Sequence, residues 1–157
     1  MNTLAGIPTH PLFAHAAVTL VPLTVIIALA AVFSTRARLR IGGVAPVLAV
    51  VTVIAVWLTR IAGEYLASQE GPGQAAAIHA HSEKADALMI WSVILAVTVL
   101  TVYVLTSARL AAVRSHIPAL GSRPAFIVAG VAVAIASIGA MWAVIATGHS
   151  GAEMVWG

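Results

Sequence analysis

Hydrophobic positions in this chain run continuously instead of alternating with polar ones. Four stretches, 12–33, 41–61, 85–106 and 124–147, consist almost wholly of Ala, Val, Leu and Ile with scattered aromatics. A helix needs about 20 such residues, at about 1.5 Å each, to cross the hydrocarbon of a bilayer. Barrel strands would be roughly 10 residues long and would alternate in polarity, and this pattern does neither. The expected fold is therefore all-α: an integral membrane four-helix up-down bundle, with residues 1–157 forming a single four-span domain. The first stretch has no basic lead and is longer than a signal-peptide core, so it reads as a span that is retained.

Local signals fit the same map. Pro11 and Pro124 suit first helical turns, where a missing N–H costs no bond. Pro22 and Pro46 fall inside the first two spans, where a kink is tolerated if neighbouring groups satisfy the freed carbonyls. Gly71-Pro72-Gly73 breaks the connection before the third span, and from Gln74 the pattern is helical, so that helix should project about 10 residues, or ~15 Å, beyond the membrane. Gly148 is expected to end the fourth helix and Gly151 to let the last residues fold back over the bundle. Ala132, Ala136 and Ala140, with Gly139 and Ala143, allow close helix approach, which is ordinary bundle packing. Trp57, Trp91, Trp142 and Trp156 suit interfacial anchoring. A weak twofold repeat is visible: each half runs histidine, span, basic connection, span, then glycine and glutamate.

Composition narrows the classes. Hydrophobic residues make up 61% of the chain and charged residues 8%, and the mean hydropathy is +1.04. That leaves too little polar surface to solubilise a globule and too much apolar surface for disorder. The absence of cysteine excludes disulfides, thiolate metal sites and cysteine-ligated iron–sulfur clusters. Charge then orients the spans. Arg36, Arg38, Arg40, Arg109, Arg114 and Arg123, six of the eight basic residues, lie in two connections that hold no acid. All five acids (Glu64, Glu70, Glu83, Asp86, Glu153) fall at the opposite end with Arg60 and Lys84. The positive-inside rule makes the arginine-bearing connections cytoplasmic and puts both termini on the outer, extracytoplasmic side. The pI near 10.2 thus reflects topology and gives no reason to expect a nucleic-acid partner.

Five of the six histidines (His10, His15, His79, His81 and His149) gather at the outer end, and only His116 is cytoplasmic. Imidazole is the commonest metal ligand near neutral pH and a usual axial ligand of haem. In His10-Pro-Leu-Phe-Ala-His15 the two rings lie about 140° apart around a helix, so they serve different partners. His15 falls about one turn into the span, where an ionisable group is costly and marks a candidate site. The alternative for it is an interfacial imidazole donating to a nearby carbonyl. His79 and His81 are about 200° apart on a helix, so at most one faces the bundle axis, the other facing solvent near Glu83. Arg60 and Glu64 form an i,i+4 pair that is either a simple surface ion pair or an anchor for a carboxylate such as a haem propionate. Lys84 has the same two readings, with snorkelling as the simpler. No serine–histidine–acid order suggests hydrolysis.

The end segments resemble those of the bacterial domain of unknown function 2231 family. His10-Pro-Leu-Phe-Ala-His15 looks like that family's opening motif. Gly63-Glu64, His79 or His81, and Thr147-Gly-His-Ser-Gly-Ala-Glu-Met-Val-Trp156 fall where it has its other polar motifs. Ala16-Ala17 replace a proline usual after the second histidine. The resemblance covers nearly the whole chain and implies a four-span protein of a bacterial cytoplasmic membrane, in some relatives joined to Rieske-type modules. It supplies no established activity.

Three functions follow as expectations. The leading one is a b-type cytochrome-like electron-transfer protein, with haem b near the outer face held by His15 and either His81 or His79, and Arg60 near the propionates. Its electron partner would be a quinone or a redox protein, and an oxidoreductase role stays open. The second is an outer-face zinc or copper site drawn from His10, His15, His79, His81, His149, Glu64 and Glu153. The third is a structural subunit of a larger membrane complex, with the small-residue face of the fourth helix as its contact surface. The lipid bilayer is a partner in all three, and a homo-oligomer is compatible with each.

Overall fold

The computed structural model describes residues 3–4, 7–69 and 71–156. Glu70, one of the acids counted above, lies outside them. In chain order the helices are α1 (Thr9–Phe33), α2 (Thr35–Ile41), α3 (Val44–Ala67), α4 (Ala75–Thr106), α5 (Ala111–Ser115) and α6 (Arg123–Trp156), with short 3-10 turns at Pro72–Gln74, Ala108–Leu110 and Pro118–Gly121. The extended structure among the described residues is a two-residue pairing of Thr3–Leu4 with Ile7–Pro8. Helices α1, α3, α4 and α6 are each long and apolar enough to cross a membrane. The fold is all-helical, as the hydrophobic pattern requires.

Two boundaries differ from the sequence expectation. The second long helix starts at Val44, because Ile41 closes α2 and Gly42-Gly43 makes the turn between them. A Cβ at Gly42 would collide with the Arg38 carbonyl oxygen, so only glycine fits this turn. Pro46 consequently falls in the first turn of α3, where its missing N–H leaves no carbonyl unpaired, and no kink is required of it. At the other boundary, neither Gly148 nor Gly151 stops the last helix, which runs unbroken to Trp156. Helical glycine costs about 1 kcal/mol, but Gly151 lies against the His81 ring, where its missing side chain is used.

The four long helices form a square. Helix α1 packs on α3 and α6, and α4 packs on α6 and α3, so α1 and α4 face each other diagonally. The most extensive pairings are α1 with α3 and α4 with α6, making the bundle two helical hairpins set side by side. Alanine and valine fill the interior, including Val21, Ala49, Val133, Ala136 and Ala140, while large apolar residues such as Ile26, Ile138 and Trp142 project outward. Apolar residues all round the helix are the mark of a span facing lipid on one side and protein on the other.

Polar groups join the helices at a few points. The buried Thr24 and Thr52 hydroxyls lie 2.6 Å apart across α1 and α3. Because Thr52 donates its proton to the Leu48 carbonyl, Thr24 is the donor to Thr52. At the end of the bundle carrying α2 and α5, Arg38 donates to the carbonyls of Ala31 and Val32 and lies 4.8 Å from the Phe126 ring centroid on α6. Arg114 likewise donates to the carbonyls of Val104 and Ser107. Each arginine thus satisfies the terminal carbonyls of the helix before it.

Helices α4 and α6 approach closely where the Trp91 ring lies on Gly139, leaving no room for a Cβ. Replacing Gly139 by valine is expected to lower bundle stability by about 1–3 kcal/mol through overpacking. Unfolding of the detergent-solubilised protein measures this, and adding Trp91→Ala to the same chain should recover part of the loss.

Candidate functional site

At the end opposite the arginine connections, the two hairpins do not close completely. Between them is a cavity of about 630 Å³, within the range of small-molecule and cofactor sites. Val56 and Leu88 supply apolar lining, and two imidazoles face in, His10 from α1 and His81 from α4. His81 lies within electrostatic reach of His10 and of Lys84. The diagonal placement of α1 and α4 sets these two rings across the mouth of the bundle.

Each ring is held through Nδ1 by the other helix of its own hairpin. His10 Nδ1 is 3.1 Å from the Thr59 carbonyl oxygen. A carbonyl only accepts, so Nδ1–H is the donor. His81 Nδ1 is 2.9 Å from Ser150 Oγ. Ser150 gives its one hydroxyl proton to the Thr147 carbonyl at 3.1 Å, so it accepts from His81 Nδ1–H. A neutral ring held in this way carries its lone pair on Nε2, and among the described residues neither Nε2 has a protein partner. Ligand histidines are supported in this way, with one nitrogen tied to a second group and the other left for the metal.

Glycine makes room for both rings. A Cβ at Gly63 would be 3.0 Å from His10 Cε1, and one at Gly151 would be 3.3 Å from His81 Cε1. Each imidazole thus rests on a glycine of the partner helix, one turn beyond a threonine (Thr59 or Thr147). The two contacts correspond in the two hairpins, with Gly151, and not the Gly148 of the sequence repeat, as the counterpart of Gly63.

The other expected residues lie elsewhere. His15 is exposed on α1, outside the cavity lining, and its Nδ1 donates to the Pro11 carbonyl of its own helix at 2.6 Å. This corrects the expectation that His15 faces inward as an axial ligand: five residues beyond His10, it is turned about 140° away. His79 is exposed and 3.8 Å from Glu83, while His149 is exposed and 3.2 Å from Glu153. Among the described residues, no three His, Asp or Glu side chains form a group able to hold a metal ion. The seven-residue metal set is thereby divided into His10 with His81, His149 with Glu153, Glu64 on Arg60, and the separate His15 and His79.

Arg60 is at the cavity rim, but its Nε is shared by Glu64 Oε1 at 3.2 Å and Asp86 Oδ1 at 3.0 Å. The cluster joins α3 to α4 and carries one more negative than positive charge. Asp86, Thr59 and Ser150 had not been singled out from the sequence. An acid at the start of a span was a usable signal for Asp86. The roles of Thr59 and Ser150 depend on which helices pair, and no spacing within one helix reveals them.

The fold and this site define a class: a four-helix membrane bundle whose mouth holds a cavity with paired imidazoles. The chain belongs to the family described as Predicted membrane protein (DUF2231), whose match covers residues 6–157. No curated protein and no solved structure matches it.

Arg60 is 41% exposed and its two carboxylates more so, so the ion pairs are expected to contribute less than about 1 kcal/mol each. A double-mutant cycle with Arg60→Gln and Asp86→Asn, read by unfolding in detergent, should give a coupling in that range that shrinks as salt is added.

Proposed function

We propose that this protein is a b-type cytochrome-like electron-transfer protein that holds haem at the bundle mouth between His10 and His81. One observation carries the reading: two imidazoles from diagonal helices line one cavity, each fixed through Nδ1 with Nε2 unclaimed. The donor set suits haem better than a bare zinc ion. A structural zinc site needs four protein ligands and a catalytic one three, whereas haem brings its own equatorial nitrogens and asks the protein only for axial ligands. When bound, haem supplies one-electron transfer. His10 and His81 bind and orient it, Gly63 and Gly151 keep the rings flat against their helices, and Val56 and Leu88 contribute an apolar floor. Arg60, engaged with Glu64 and Asp86, closes α3 onto α4 at the rim; a propionate would have to displace one of those carboxylates to reach it.

In this reading the cavity opens on the extracytoplasmic side of a bacterial cytoplasmic membrane, both termini are outside, and the electron partner is a quinone or a redox protein. The arginine-rich connections at the opposite end support that orientation. A chain without cysteine allows a direct check. Ser68→Cys should react with a membrane-impermeant maleimide on intact cells, and Ser115→Cys only after permeabilisation. The reverse pattern would invert the topology.

Visible absorption of detergent-purified protein, expressed with ample haem and reduced with dithionite, tests the site. A Soret band with sharp α and β bands at stoichiometric haem is expected. His10→Ala and His81→Ala should each weaken haem binding by at least the roughly 10- to 100-fold loss typical of disturbing even a ligand's supporting residue. His15→Ala, His79→Ala and His149→Ala should leave the spectrum intact. A colourless wild-type protein overturns the proposal.

A further inference from the structure

The two imidazoles are supported by groups of different kinds. The acceptor for His10 is a backbone carbonyl, which no substitution removes. The acceptor for His81 is the hydroxyl of Ser150, a single side-chain atom in a residue 6% exposed. Its proton is already committed, since Ser150 donates to the Thr147 carbonyl. Thr147 in turn locks the two helices together, its own hydroxyl lying 3.0 Å from the Lys84 carbonyl of α4 and 2.8 Å from the Ala143 carbonyl of α6. The lock faces the hydroxyl of Ser150 toward His81 as an acceptor.

We propose that Ser150 is a positioning residue that holds His81 as the Nδ1–H tautomer with Nε2 directed to the cavity, and so sets the strength of His81 as an axial ligand. The second half of this inference rests on the haem reading; the first half does not. A neutral imidazole protonated on Nε2 has no lone pair there to offer a metal. The Ser150 contact disfavours that form, because the hydroxyl would have to turn its proton from the Thr147 carbonyl to Nδ1 and give up that bond. Gly151 contributes by letting the ring lie close enough to α6 for the contact to form. The two imidazoles that would hold the haem are then unequal by construction: His10 is fixed by the main chain, and His81 is adjustable through one side chain.

The test compares wild type, Ser150→Ala and Ser150→Thr in the full-length protein. Nitrogen NMR of isotope-labelled histidine in the haem-free protein, above the ordinary imidazole pKa, reads the tautomer directly, with the His81 signal identified by its loss in His81→Gln. Removing a hydrogen bond of ordinary strength should lower the Nδ1–H to Nε2–H ratio of His81 roughly fivefold in Ser150→Ala, with Ser150→Thr restoring it. In the haem-loaded protein the alanine variant should bind roughly 10- to 100-fold more weakly and show a shifted midpoint potential, and the threonine variant should recover both. An unchanged tautomer ratio in Ser150→Ala, or no recovery by threonine, overturns the role of Ser150 whether or not haem binds. A wild-type protein that takes up no haem but shows the serine-dependent tautomer overturns the haem reading and leaves the hold of Ser150 on His81 in place.

Discussion

Hydrocarbon offers no hydrogen bonds, so each polar group of a spanning chain must find its partner within the protein. That constraint accounts for most of the polar contacts in this bundle. The hydroxyls of Thr19, Thr52, Thr59, Thr101, Thr106 and Thr147 all donate to the carbonyl one turn back in their own helix. Arg38 and Arg114 serve the last carbonyls of α1 and α4. Ser92 and Ser137 depart from the pattern, with buried hydroxyls that meet no partner among the described residues. They lie on α4 and α6, the helices that Trp91 and Gly139 bring into close contact, where a small side chain is wanted for its size.

The same constraint, repeated in each hairpin, gives the molecule its pseudo-twofold form. In both halves an imidazole at the start of the first helix leans on a glycine of the second. In both, an arginine from the short connecting helix covers the carbonyls at the far end. Joining two such units leaves their imidazoles diagonal, because each hairpin contributes one imidazole-bearing helix and those helices are not neighbours in the square. The cavity is therefore a product of how the units meet. It opens where the long helices reach their polar ends and the packing of small residues gives way to larger and charged groups.

The number of spans, their helical character and the gathering of histidines at one end were legible from hydropathy and charge, because these depend on composition within single segments. His10 and His15 could be separated by helical angle alone, and so could His79 and His81. What helical angle does not provide is the direction of the bundle axis. His15 looked like the inward residue because it is deeper in the span, yet the axis lies on the side of His10. The ends of α3 and α6 were misread for a related reason. Gly42 marks a turn because a carbonyl fills the space of its side chain, while Gly151 continues a helix because an imidazole does. Glycine in a sequence has the same form in either case, and only the neighbour decides between them.

Charge at the mouth bears on what the cavity can accept. The Arg60 guanidinium is shared by Glu64 and Asp86, so that cluster carries one net negative charge, with Lys84 near His81 as a further cation at the same end. A small anion gains little from an arginine already shared by two carboxylates, and a hydrated divalent ion would meet carboxylates already engaged with it. Two imidazoles line the cavity, each held at Nδ1 and with Nε2 unpaired among the described residues. If the proposed reading holds, a ligand matched to that pair would bring its own remaining metal ligands, leave the two imidazoles to complete the set, and present apolar surface to Val56 and Leu88. On the proposed reading that ligand is a metallated macrocycle, and the cavity of about 630 Å³ lies within the usual range for a cofactor site.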